Sequence, residues 1–109
     1  MEELLKSMID KFNEKCKTDK DLQNNIKDLK RTVQIEITGD KSYKFTLQDS
    51  HISDFSVGII EKPDVHISSD AETMKKLINK EMSALKAYAL KKIKIKASLE
   101  DLLMLKKFF

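Results

Sequence analysis

Few side chains in this 109-residue chain are of types that carry covalent or proton-transfer chemistry. There is one cysteine, Cys16, and two histidines, His51 and His66. A thiol becomes a nucleophile when a nearby imidazole or cation lowers its pKa. No histidine is close to Cys16 in sequence, and Cys16 falls on the apolar stripe of a helical pattern, so it reads as a packed thiol. His66 has the outward phase of a strand and reads as a solvated imidazole. Glu100-Asp101 has the look of an acid pair, but adjacent residues on a helix diverge by about 100°. Acids in a first helical turn are accounted for by the helix dipole. A Gly-rich phosphate loop, a GxSxG elbow and HExxH are all missing. The residues predict no catalytic group, no metal ligands and no cofactor.

Composition narrows the class further. Apolar residues make up 40% and charged residues 36%, enough for one core in a single domain spanning 1–109. One cysteine excludes a disulfide framework within the chain. No apolar run is long enough to span a membrane, and the acidic, amphipathic start MEELLKSMIDK is unlike a secretory signal. A soluble cytoplasmic protein is expected. The net charge is only +3, with 20 Lys scattered among acids and a single Arg. Nucleic-acid binders concentrate basic residues and favour Arg for forked contacts, so no nucleic-acid partner is expected.

The elements that must position any site follow from periodicity. Leu5, Ile9, Phe12 and Cys16, widened by Leu4 and Met8, predict a helix over 2–17. Thr18-Asp-Lys-Asp21 predicts a fresh N-cap, with Leu22, Ile26 and Leu29 inward. Val33, Ile35 and Ile37, then Tyr43, Phe45 and Leu47, alternate as half-buried strands. A three-residue loop, 39–41, would pair Ile37 with Tyr43 and Ile35 with Phe45. Phe55, Val57 and Ile59 continue that odd phase across a longer connection, and Val65 and Ile67 form a fourth strand. Ser69-Asp-Ala-Glu72 reads as a capping box opening a helix with Ala71, Met74, Leu77 and Ile78 inward. A helix over 82–90, a strand over 93–97 and a final helix capped by Ser98 complete the chain. The order is α+β: a five-stranded, mostly antiparallel sheet with helices on one face. Glu36, Lys44, His66, Lys94 and Lys96 should occupy the wet face.

Two segments carry more apolar surface than a one-sided helix uses. Seven of the nine residues in MSALKAYAL are apolar, and LEDLLMLKKFF spreads apolar residues well beyond a stripe of about 100°. Such helices need a second neighbour: another helix, a second chain or an apolar ligand.

Residues 64–105 resemble the sterol carrier protein type-two family of nonspecific lipid carriers. The matching features are Asp64-Val65 with Ile67, Ser69-Asp70, Ala87-Tyr88, Lys92-Ile93-Lys94-Ile95 and the apolar Leu102–Leu105. The family's glycines near the last strand are replaced here, with Lys91 before Lys92 and Ala97 after the strand. The resemblance implies an apolar tunnel between sheet and helices that carries sterol, fatty acyl or isoprenoid cargo without chemistry. Phe45, Phe55, Met74, Ile78, Met82, Leu85, Leu102, Leu103 and Leu105 are then the candidate lining, with Phe108 and Phe109 as a lid. Lys91, Lys92, Lys106 and Lys107 would steer transient contact with an anionic membrane surface. The rival expectation is a ligand-free interaction or accessory module whose surplus apolar C-terminal helix meets another subunit.

Overall fold

A computed structural model describes residues 1–102, apart from the side chains of Asn25, Ala84 and Leu85. Helix α1 spans Glu2–Thr18. Its acidic first turn and basic last turn match the dipole, and it buries Leu5, Met8, Ile9, Phe12 and Cys16. Helix α2, Lys20–Ile26, is capped by Asp19, whose carboxylate accepts from the Leu22 N–H at 3.0 Å. Strands β1 (Arg31–Thr38), β2 (Ser42–Gln48), β3 (His51–Val57) and β4 (Val65–Asp70) follow. Then come α3 (Ala71–Ile78), α4 (Ala84–Ala89) and β5 (Ile93–Lys96). After β5, Ser98 caps a further helical turn, its Oγ accepting from the Asp101 N–H at 3.2 Å.

The sheet order is β3-β2-β1-β4-β5. Three of its pairings are antiparallel, while β1 and β4 at the centre run parallel. Odd-numbered residues of β1, β2 and β4 face the helices, where Ile35, Leu47 and Val65 are wholly buried. The core therefore lies between one face of the sheet and the helical layer, as the alternation predicts. On the other face Glu36, Lys94 and Lys96 are exposed and Lys44 and His66 half-buried, with His66 Nε2 3.4 Å from Glu36 Oε2.

Local detail departs from expectation in four places. The first hairpin pairs Ile35 with Tyr43 and Val33 with Phe45, two residues away from the predicted register. Its turn closes from the Asp40 N–H to the Ile37 carbonyl with Gly39 at φ 79°, and Ile37 and Thr38 pair with β4 instead. The β2–β3 connection is not long: Asp49 and Ser50, at φ 53° and 61°, form a two-residue turn of the kind that matches strand twist.

The third departure lies within β3. Leu47 pairs with Ile52 but Tyr43 pairs with Val57, so Phe45 opposes two residues, Asp54 and Phe55, with Asp54 at φ 60°. This bulge switches the inward phase, burying Ile52 and leaving Phe55 half-buried. Past it Val57 is 46% and Ile59 78% exposed, so neither continues the core. Finally, β4 runs through Ser69, and Asp70 rather than Ser69 caps α3 by accepting from the Thr73 N–H at 3.2 Å.

The 58–64 connection carries the chain from β3 across to β4 over the face opposite the helices. It does so on Gln34, which is buried although its phase is outward. Gln34 Nε2 donates to the Gly58 carbonyl at 2.9 Å and to the Tyr43 carbonyl at 3.0 Å, while its Oε1 accepts from the Ile60 N–H. A buried amide with every contact made is worth keeping; an unpaired one is costly. At the far end Asp64 accepts from both the N–H and the hydroxyl of Thr32, 2.8 and 3.2 Å away.

Candidate functional site

Among the described residues, the apolar layer between sheet and helices is more deeply buried on the α1 side than on the C-terminal side. Leu5, Met8, Ile9, Phe12 and Cys16 of α1 are all buried. The edge strand is closed by Asn13: its Nδ2 donates to the Ile52 carbonyl at 3.1 Å and its Oδ1 accepts from the Ile52 N–H at 2.8 Å. A side-chain amide thus makes the two bonds that a further strand would make. Nothing in the sequence pattern marks Asn13 for this role, because it depends on α1 docking beside β3.

The C-terminal side is different. Among the described residues after Leu77, only Ala87, Ile93 and Asp101 are buried. Ile78, Met82, Ile95, Ala97 and Leu102 pack against the core but stay half-buried. Tyr88, Leu90 and Leu99 are exposed at 47%, 54% and 73%. Helix α4 is a short one, capped by the Ser83 hydroxyl, which accepts from the Lys86 N–H at 3.1 Å. It ends in a left-handed Lys91 at φ 60°.

Of the residues expected to line a cavity, Phe45 and Met74 are core side chains, 3% and 0% exposed. Phe55, Ile78, Met82 and Leu102 are the half-buried ones. Phe55 stacks on Tyr43, with ring centroids 5.8 Å apart and planes 7° from parallel. The Tyr43 hydroxyl is pushed above its ordinary pKa by burial first, then by Asp40 and Glu2. The side chain of Leu85, and Leu103, Leu105, Phe108 and Phe109, lie outside the described residues.

One contact ties the C-terminal side to the sheet. The single arginine, Arg31, donates through Nε to Asp101, 3.0 and 3.1 Å from the two carboxylate oxygens. The Asp101 side chain is 5% exposed. Dipole effects therefore do not account for Asp101 alone, as the sequence suggested: it anchors the last helical turn to the start of β1. A lone Arg stands out in a Lys-dominated chain, but which acid it meets is set only by the completed fold.

Cys16 and His51 line one cleft of about 430 Å³ with Asn13, Lys17, Gln23, Asp49 and Ser50. Burial, and secondarily Asp19, raises the Cys16 thiol pKa, opposite to the shift an activated thiolate needs. Among the described residues no group of three or more His, Cys, Asp or Glu is placed to hold a metal ion. No helix among them is long and apolar enough to cross a membrane.

An α+β domain with its helices on one face of a five-stranded sheet is the class that these elements define. Residues 9–109 match the family model described as the SCP-2 sterol transfer family, and the chain belongs to that family. The fold recurs in solved structures of low identity. Sterol carrier protein 2 like 2 from Aedes aegypti is 16% identical with a TM-score of 0.69, covering 97% of this chain and 96% of that one. A solution structure of the same mosquito protein in palmitated form gives 16% and 0.66, with 92% and 88% covered. The sec-alkylsulfatase Pisa1 from Pseudomonas sp. gives 15% and 0.63; 79% of this chain aligns, but only 13% of that enzyme. The comparison with curated proteins finds no match.

Proposed function

We propose that this protein is a cytoplasmic carrier that holds an apolar lipid in a tunnel between the sheet and the C-terminal helices. The observation that carries the reading is the uneven burial: half-buried Ile78, Met82 and Leu102 lie where a guest would complete the layer. The family match and the palmitated state of the mosquito relative support an acyl, isoprenoid or sterol cargo. Each methylene moved from water into such a site contributes about 0.8 kcal/mol, so a long chain binds without a specific polar contact. Phe55 lines the tunnel in this reading, Leu85, Leu103 and Leu105 extend it, and Phe108 and Phe109 close it. Transient contact with an anionic membrane surface delivers and collects the cargo.

Displacement of a fluorescent fatty acid from protein stripped of lipid tests this. Saturable binding of one molecule per chain, with Kd of about 1 μM or tighter, is the expected result. No binding at tens of micromolar overturns it.

A second reading is favoured by exposed Tyr88, Leu90 and Leu99 and by the alkylsulfatase, in which the same fold is a small part of a larger enzyme. There the C-terminal helix meets another subunit and no cargo is carried. Light scattering on lipid-free protein separates the two: a stable dimer that excludes the probe supports the second.

A further inference from the structure

A cleft of about 250 Å³ opens at the end of the sheet where β1, β4 and β5 come together, lined by Thr38, Ser68, Ser69, Asp70, Lys91, Lys92 and Lys94. Register explains the grouping. Thr38 lies opposite Asp70 and Ser68 opposite Lys94, so Thr38, Ser68 and Lys94 point to the same face, away from the helices. Lys91 and Lys92 arrive from the turn after α4, held by bonds from their N–H groups to the Tyr88 and Ala87 carbonyls at 3.1 and 2.8 Å. Three lysines and two half-exposed or exposed hydroxyl residues, Ser68 and Thr38, therefore share the cleft with one carboxylate, that of Asp70.

That carboxylate is directed elsewhere. Asp70 caps α3 through Thr73, and Thr73 hydrogen bonds are the chief cause of its lowered pKa, with Lys92 adding to the effect. The neighbouring acid, Glu36, is paired with His66. Lys92 is thus close enough to act on charge inside the cleft, and among the described residues no ion pair engages Lys91, Lys92 or Lys94. Lys91 sits at φ 60°, at a helix C-terminus where glycine is the favoured residue.

We infer that this cleft is an anion site that takes a phosphate group, its charge met by Lys91, Lys92 and Lys94 and its oxygens by the Thr38 and Ser68 hydroxyls. The group is carried on a lipid headgroup or on a free phosphate compound. The site does not depend on cargo binding, so its failure would leave the carrier reading standing.

The test follows amide shifts of the full, isotope-labelled chain as inorganic phosphate is added, and co-sedimentation with phosphatidylcholine vesicles with and without phosphatidic acid. Shifts at Thr38, Ser68, Lys92 and Lys94 should saturate together. Removing the three charges with Lys91→Gln, Lys92→Gln and Lys94→Gln should weaken binding about tenfold, while the charge-matched Lys20→Gln, Lys27→Gln and Lys30→Gln should change it less than about twofold. Lys91→Gly separates binding from folding: it should raise Tm by relieving the left-handed lysine yet weaken phosphate binding about threefold. Tighter binding to phosphatidic acid vesicles than to inorganic phosphate assigns the headgroup, and the reverse assigns a free compound. Shifts that do not saturate, or equal losses in the two triple variants, would overturn the site in favour of diffuse charge.

Discussion

The two flanks of the apolar layer are built to different standards. Along α1 the inward side chains are buried and Asn13 bonds the β3 edge at Ile52, although Val57 beyond the bulge is 46% exposed. Among the described residues around α4, β5 and the helical turn at 99–102 the apolar side chains are mostly half-buried or exposed, and the Arg31–Asp101 ion pair ties that turn to the sheet. A protein interior is ordinarily packed to crystal-like density throughout. Among the described residues the burial is therefore uneven between the two flanks. Local opening is drawn from regions with few buried apolar contacts, which here is the C-terminal flank.

The comparison is broken most forcefully at its link. Arg31→Ala strands the buried Asp101 carboxylate and should cost about 3–5 kcal/mol in urea unfolding, whereas Arg31→Met with Asp101→Leu should recover most of that loss. Next comes truncation on each flank. Leu5→Ala, at a side chain with no exposure, should cost about 2–5 kcal/mol, while Met82→Ala, on the C-terminal flank, should cost about 1 kcal/mol or less. Equal losses at Leu5 and Met82 would erase the distinction. Asn13→Ala should cost about 1–3 kcal/mol, because it leaves the Ile52 N–H and carbonyl without their partner. Hydrogen exchange should show that loss as faster exchange at Ile52.

The smallest effect expected is on pH dependence. The Asp70 carboxyl has a folded pKa below its ordinary 3.8, so its contribution is complete above that value and is lost as pH falls through the folded pKa. Thr73→Val should therefore narrow the gap between the stabilities of the Asp70 and Asp70→Asn proteins above about pH 4, an effect that fades as pH falls through the folded pKa. A gap that persists unchanged would show that Thr73 does not hold the carboxylate.

Much of this was legible in the residues. The 3.6 spacing of Leu5, Ile9, Phe12 and Cys16 and the alternation through Val33, Ile35 and Ile37 are local signals, and both elements form where those signals lie. The cap of α2 is local too: it falls within the predicted Thr18–Asp21 run, with Asp19 supplying it. Register was not legible, because the odd phase of Tyr43, Phe45 and Leu47 is satisfied equally by pairings two residues apart. The bulge at Asp54 escaped for a related reason: no glycine marks its left-handed residue. Gln34 and Arg31 were unreadable for a third. Their partners, Gly58, Ile60 and Asp101, are brought to them only by the completed fold. Of the candidate lining residues, Phe45 and Met74 are apolar and correctly inward, but their burial is that of core. Hydrophobic pattern reports which way a side chain faces and does not distinguish a filled interior from one that accepts a guest.

The parallel pairing of β1 with β4 has a consequence in time. β1 meets β2 through a short turn, but Thr32 and Asp64, which close the parallel pair, are separated by 32 residues. Ordering that longer loop costs more entropy before any contact is gained. The β1–β2–β3 meander is therefore expected to protect its amides early in refolding, and β4–β5 later, which pulse-labelled hydrogen exchange would resolve. Simultaneous protection of β2 and β5 would refute that order. A newly made chain would then have its more deeply buried flank in place before the C-terminal flank has formed.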